Sequence, residues 1–248
     1  MTRKQLIKNG LKYQFKNEIK GDKHILTLSG VVAKPDFWDM IMDNKTINSA
    51  DITKALDDVD KDIHIKLNSG GGDAFEGIEI YNYLKNHPSH VTIEITSLAA
   101  SAASIIAMSA DELIMDTGTS MMIHQASTFA WGDKSELSKT MNALETIDDS
   151  LIDIYKERTG KDYEVLSEYL AKETWFTADE AVSEGFADKK SSKQAVTPQV
   201  VEPEEDDVES PEMQNVLNLL KEQSEKISAM TNQMKTIQNQ EPKRRLYF

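Results

Sequence analysis

Hydrophobic and polar positions alternate from Asp62 to Leu67 (DIHIKL), the two-residue period of a half-buried strand. This strand runs into Asn68-Ser69-Gly70-Gly71-Gly72-Asp73, after which Phe75, Ile78, Tyr81 and Leu84 recur at three-residue spacing and predict a helix. Val91 to Thr96 (VTIEIT) reads as another strand, and Ala100 to Ala110 as a buried helix of small residues. Upstream, His24 to Val32 (HILTLSGVV) is a strand and Ser49 to Leu56 a capped helix. From Asp133 to Arg158 the chain predicts a long helix with an apolar stripe of Leu137, Met141, Leu144, Ile147, Leu151, Ile154 and Tyr155. On a helix protruding from a small domain, such a stripe needs a partner to bury it. The repeated strand–helix units predict an α/β fold stacked around one cleft.

Two segments within this pattern carry candidate chemistry. In Thr96-Ser97-Leu98-Ala99-Ala100-Ser101-Ala102-Ala103-Ser104 a serine stands among alanines where an apolar strand meets an apolar helix. His124 ends the strand-like Met121-Met122-Ile123. A serine hydroxyl is a weak nucleophile unless a neighbouring base takes its proton, and histidine titrates near the pH where that is useful. Ser101, expected in the first helical turn, lies beside unpaired backbone N–H groups that face a developing oxyanion. Ser104 shares roughly that helix face but sits deeper among apolar residues. A tight packing site with a capping serine is the plainer explanation of the same residues. The three glycines permit positive φ and leave N–H groups uncovered, as a second oxyanion donor requires. No Gly-Lys-Ser/Thr follows, which excludes a phosphate loop. His87 and His90 flank Pro88 in a turn with no acidic or thiol partner expected nearby, which reads as surface rather than metal site.

In order and spacing these segments resemble the Clp-type serine peptidases. N-S-G-G-G-D-A is similar to that family's N-S-P-G-G turn, S-L-A-A-S-A-A to its nucleophile segment and M-I-H-Q to its histidine segment. Glu173-Thr174-Trp175-Phe176-Thr177-Ala178-Asp179-Glu180-Ala181 and Gly185-Phe186-Ala187-Asp188 are similar to its acid and closing segments. The resemblance runs over about residues 25–190 and implies Ser101 as nucleophile, His124 as base and Glu173 in the place of the family's aspartate. Asp188 and Asp179 remain alternatives for the acid. It places Gly71 and Ala102 at the oxyanion donors, with Gly72 a close rival for Gly71. Gly70 replaces the family's proline and leaves the turn looser by that comparison.

Beyond the site, the resemblance implies a ClpP/crotonase-like fold, polypeptide substrates, no cofactor or metal, and homo-oligomeric rings, heptameric or stacked. A convincing match to the family's unfoldase-docking N-terminal segment is not found. With the features of the C-terminal part, this points to the branch that tailed bacteriophages use to process capsid and scaffold proteins during head assembly. A housekeeping subunit serving an ATPase, a crotonase-type acyl-CoA enzyme and an assembly scaffold with a vestigial site are the other readings.

Composition sets the surroundings. The chain has 248 residues and no cysteine, which excludes disulfides, a cysteine nucleophile and cysteine-rich zinc sites. No apolar run is long enough to span a bilayer, and no signal-type core follows Met1 to Lys8, so a cytoplasmic protein without membrane partners is expected. Seven acidic residues between Val201 and Glu212 supply half of the net charge of −14. With Pro203 and Pro211 they read as an extended linker within residues 191–212, closing a peptidase domain of residues 1–190. So acidic a chain has little reason to hold nucleic acid. Over 213–240, Met213, Leu220, Ile227 and Met234 repeat every seven residues and Val216, Gln223, Met230 and Ile237 fill the fourth position, predicting a helical tail able to form a coiled coil. Residues 241–248 end the chain in a basic and aromatic run.

Overall fold

The computed structural model describes residues 11–42 and 44–191. The expected acidic linker apart from Ser191, which is still in a strand, the heptad-patterned tail and the basic-aromatic end fall outside the described residues. The chain divides into two compact units, 1–194 and 195–248, and the described residues all belong to the first.

The hydrophobic pattern folds into one twisted sheet with helices on its buried face. A hairpin of β1 (Gln14–Lys20) and β2 (Lys23–Ser29) turns at Gly21. Then come α1 (Phe37–Met42), α2 (Ser49–Leu56), β3 (Asp62–Ser69), α3 (Ala74–Lys85) and β4 (Val91–Ala100). The remainder is α4 (Ala102–Ala107), β5 (Glu112–Asp116), β6 (Ser120–Ile123), α5 (Lys134–Thr159), α6 (Tyr163–Ala171), β7 (Thr174–Thr177), α7 (Ala178–Ser183) and β8 (Lys189–Ser191). The main path of the sheet is β1-β2-β3-β4-β5-β8, parallel from β2 onward.

Alternation in β3 is as the sequence predicts: Ile63, Ile65 and Leu67 are buried under the helices, with Leu26 and Leu28 of β2 and Val91, Ile93 and Ile95 of β4 beside them. The opposite face is half-buried and polar. There His64 Nε2 meets Glu94 Oε2 at 2.7 Å and Lys66 Nζ lies 3.5 Å from the same oxygen. Burial alone would raise the Glu94 pKa, but the His64 hydrogen bond and the Lys66 charge hold it below the usual carboxylate range.

β4 decides where the site lies, because it forks. Thr92 to Ile95 pair with β5, whereas Leu98 to Ala100 swing away to pair with β6, which pairs in turn with β7. The strand is therefore longer than predicted and α4 shorter, beginning only at Ala102. As a result, the C-terminal ends of the parallel strands β3, β4 and β6 come together, the usual place for a site in a parallel sheet. The long helix α5 opens on an Asp133–Glu136 capping box and closes at left-handed Gly160. Its 26 residues span about 39 Å at 1.5 Å each.

Candidate active site

Ser101 sits at the junction of β4 and α4 with φ 57° and ψ −126°. It is not in the first helical turn, as the sequence predicts, but at the cap before it. A non-glycine residue there costs about 1–3 kcal/mol and persists only where its surroundings over-determine it. They do so here: the Ser101 N–H donates to Met122 O at 2.8 Å, and the Ser101 carbonyl accepts from Ser104 N at 2.9 Å. The sharp turn lifts the side chain out of the strand end, and His124 Nε2 lies 2.8 Å from Ser101 Oγ.

The backbone around His124 is anchored from three sides. Ile123 pairs with Thr174 across the antiparallel β6–β7 ladder, Gln125 N–H donates to Leu170 O at 3.2 Å, and Ala126 N–H donates to Asp148 Oδ1 at 2.6 Å. Continued by one rung, the β6–β7 register sets Glu173 opposite His124. Glu173 is half-buried, has φ 51° and donates its N–H to Leu170 O at 3.2 Å. The two alternative acids are committed elsewhere. Asp188 Oδ2 accepts from Leu113 N at 2.6 Å and pairs with Arg158 at 2.5 Å, while Asp179 pairs with Lys190 at 2.7 Å on the surface. Ser104 is fully buried and hydrogen-bonded to Ser101 O and to Tyr155.

The glycine turn is not loose, despite Gly70. Ser69 Oγ donates to Gly30 O at 2.6 Å and accepts the Gly71 N–H at 3.0 Å, while Val32 bridges Gly71 O and Asp73 N. The Gly71 N–H, expected as an oxyanion donor, is thereby already bonded. Among the described residues the Gly72 N–H has no acceptor, and Gly72 lines the cleft beside Ser101. Ala102, the first residue of α4, has its N–H outside the helical ladder. Both glycines are sterically required: a Cβ on Gly71 (φ 87°) would stand 2.4 Å from Ala100 O, and one on Gly72 (φ 156°) 1.9 Å from Val32 O.

Ser101 and His124 open onto a cleft of about 260 Å³ whose apolar wall includes Phe75, Ile105, Leu144, Ile147 and Leu151. Three of these, Leu144, Ile147 and Leu151, belong to the stripe expected to face a partner. Of the turn histidines, His87 Nε2 lies 3.1 Å from Leu56 O and His90 lies 3.6 Å from Asp111, an acidic neighbour that the sequence does not reveal. No group of three or more metal-ligating side chains occurs among the described residues, and no described helix is long and apolar enough to cross a membrane.

The family model of the Clp protease matches residues 43–194. The chain belongs to this family. It is a serine peptidase of the ClpP type. The ATP-dependent Clp protease proteolytic subunit 1 of Protochlamydia amoebophila is 33% identical over 138 residues, which is 54% of this chain and 67% of that one. Subunit 3 of Rhodococcus jostii is 30% identical over 137 residues, 54% of this chain and 68% of the relative. A ClpP1 point mutant from Listeria monocytogenes shares the fold at a TM-score of 0.53 and 23% identity, over 58% of this chain and 84% of that structure. The sequence of this Clp-type peptidase does not reveal the contacts that Asp148, Ser69 and Tyr155 make around the site, each with a segment distant in the chain.

Proposed function

We propose that this chain is an endopeptidase in which Ser101 is the nucleophile, His124 the base and Glu173 the acid. The observation that carries this is the 2.8 Å Ser101–His124 contact at the mouth of the cleft. A hydroxyl that donates to Nε2 selects the tautomer with its proton on Nδ1, which is the proton a carboxylate at Glu173 would accept.

In the reaction, Ser101 Oγ attacks the substrate carbonyl carbon as its proton passes to His124 Nε2. The oxygen, now negative, is received by the N–H groups of Gly72 and Ala102. Collapse of the tetrahedral centre breaks the C–N bond, and His124 returns the proton to the departing amine. Water, deprotonated by His124, then hydrolyses the acyl ester and regenerates the serine.

A fluorophosphonate probe tests the assignment. We expect a single adduct that maps to Ser101, and we expect Ser101→Ala to abolish labelling and to lower peptide turnover by about 10⁶. An adduct on Ser104, or no adduct in the assembled protein, would sink the assignment, the second outcome leaving an assembly scaffold with a vestigial site.

For the setting, we propose processing of capsid or scaffold proteins during phage head assembly, by homo-oligomeric rings. Supporting it is the organisation of the sequence, a peptidase domain followed by an acidic, proline-containing segment and a heptad-patterned tail. Exposed Leu137 and Met141 on α5, together with Phe129 and Trp131, support assembly. The names of the relatives favour a second reading, a proteolytic subunit working with an ATPase. Stable binding of an unfoldase by the purified chain would select it.

A further inference from the structure

We infer that Tyr155 and Ser104 are positioning residues for the nucleophile, their hydroxyls forming a relay from α5 through α4 that holds the Ser101 carbonyl and with it the strained backbone presenting Oγ to His124. The inference rests on Ser101 being the nucleophile.

Proton accounting fixes the direction of the relay. Ser104 Oγ lies 2.6 Å from Ser101 O, and a carbonyl oxygen only accepts, so the single Ser104 hydroxyl proton is committed there. The 2.9 Å contact between Ser104 Oγ and Tyr155 OH must then have tyrosine as donor. The chain is Tyr155 O–H to Ser104 O–H to O=C of Ser101, and successive hydrogen bonds of this kind polarise and strengthen one another. Burial drives the Tyr155 phenol far above its ordinary pKa, so the donor keeps its proton throughout the working range.

Its location gives the relay a task. Ser104 and Tyr155 are buried in an otherwise apolar core, where polar groups cost stability unless paired and an alanine and a phenylalanine would fill similar space. The carbonyl they reach already accepts from the N–H groups of Ser104 at 2.9 Å and Ile105 at 3.3 Å. Helix formation alone therefore satisfies it, and the Ser104 hydroxyl adds a third donor. On the other side of the same residue, the Ser101 N–H is tied to Met122 O. Ser101 is thus clamped through both peptide groups at φ 57°, and one clamp runs to α5, whose other end bears the exposed Leu137 and Met141. Through Tyr155 the seating of the long helix bears directly on the nucleophile.

Three variants of the full chain test this: Tyr155→Phe, Ser104→Ala and the two combined. For each, the rate of Ser101 labelling by the phosphonate, kcat and KM on a peptide, the pH profile and the melting temperature are measured. We expect labelling and kcat to fall about three- to tenfold in all three, the worth of one neutral hydrogen bond, with KM and the midpoint of the pH profile unchanged. The double variant should be no slower than the slower single one, since both changes break one chain. It should melt above Ser104→Ala, in which the buried Tyr155 hydroxyl is left without its acceptor. That separation of rate from stability supports positioning. Wild-type labelling in the double variant, or rates that follow melting temperature, would overturn it, and the double variant preserves the test should a single one not fold. Absence of any label on wild-type Ser101 would instead overturn the nucleophile assignment and this inference together.

Discussion

Glu173 and Asp188 both lie in the C-terminal motifs that resemble the family's acid and closing segments, and their surroundings separate them. Asp188 is bonded to Arg158 and to the Leu113 N–H, whereas the β6–β7 register, continued by one rung, sets Glu173 opposite His124. Glu173→Gln should retain the fold and lower turnover by about 10²–10⁴, as expected when a carboxylate no longer orients and balances the imidazolium. Asp188→Asn should leave turnover near wild type and cost about 1 kcal/mol through the partly exposed ion pair. Steady-state kinetics beside thermal unfolding of the two variants checks both; a crippled Asp188→Asn with a harmless Glu173→Gln would transfer the acid role. The order of the motifs already paired Ser101 with His124, whose side chains meet at 2.8 Å. The choice between Gly71 and Gly72 was not legible, since it depends on a Ser69 hydroxyl anchored to Gly30, 39 residues away. The contact of Ser104 with Tyr155 was hidden for the same reason, the two lying 51 residues apart.

Among the elements, alternation identified β3 well and misjudged the end of β4. Nothing in the run Leu98-Ala99-Ala100-Ser101-Ala102 signals that the strand continues to Ala100 and breaks at a positive φ, because alanine fits strand and helix alike when the partner strand β6 sets the choice. The short β7, β8 and α7 offered too few residues to show a period. The stripe on α5 was visible as one surface but has three fates. Leu151 and Tyr155 are buried where the core borders the cleft, with Ile154 packed against that core, Leu144 and Ile147 line the cleft, and Leu137 and Met141 are exposed. Charges introduced at Leu144 and Leu151 would therefore damage the cleft and the core rather than report on assembly. Leu137→Lys with Met141→Lys should instead reduce the native mass while leaving circular dichroism unchanged, whereas Leu151→Lys should lose the fold through an unpaired buried charge. Sedimentation velocity reads the first; an unchanged mass would show that the outer half of α5 is not an interface.

For the whole molecule, the site is built by bringing three strand ends together, so the domain that folds the sheet also completes the site. Deleting residues 201–248 should accordingly leave a protein that assembles and reacts with the phosphonate, while its recruitment to physiological targets is impaired. A deletion variant that sediments as a monomer would show that the heptad-patterned tail drives assembly. One consequence of the β4–β6 pairing concerns what evolution is free to alter. The rungs Leu98 to Ser120, Ala99 to Met121 and Ala100 to Met122 set the spacing between Ser101 and His124 along the strands. Slipping them by one residue would carry the imidazole about 3.3 Å along the strand and turn it to the opposite face. The pair cannot drift apart by degrees, and the Thr117-Gly118-Thr119 turn that feeds β6 is denied the freedom in length that surface turns ordinarily enjoy. A change in its length must leave those three rungs in register, even though none of its side chains touches Ser101 or His124.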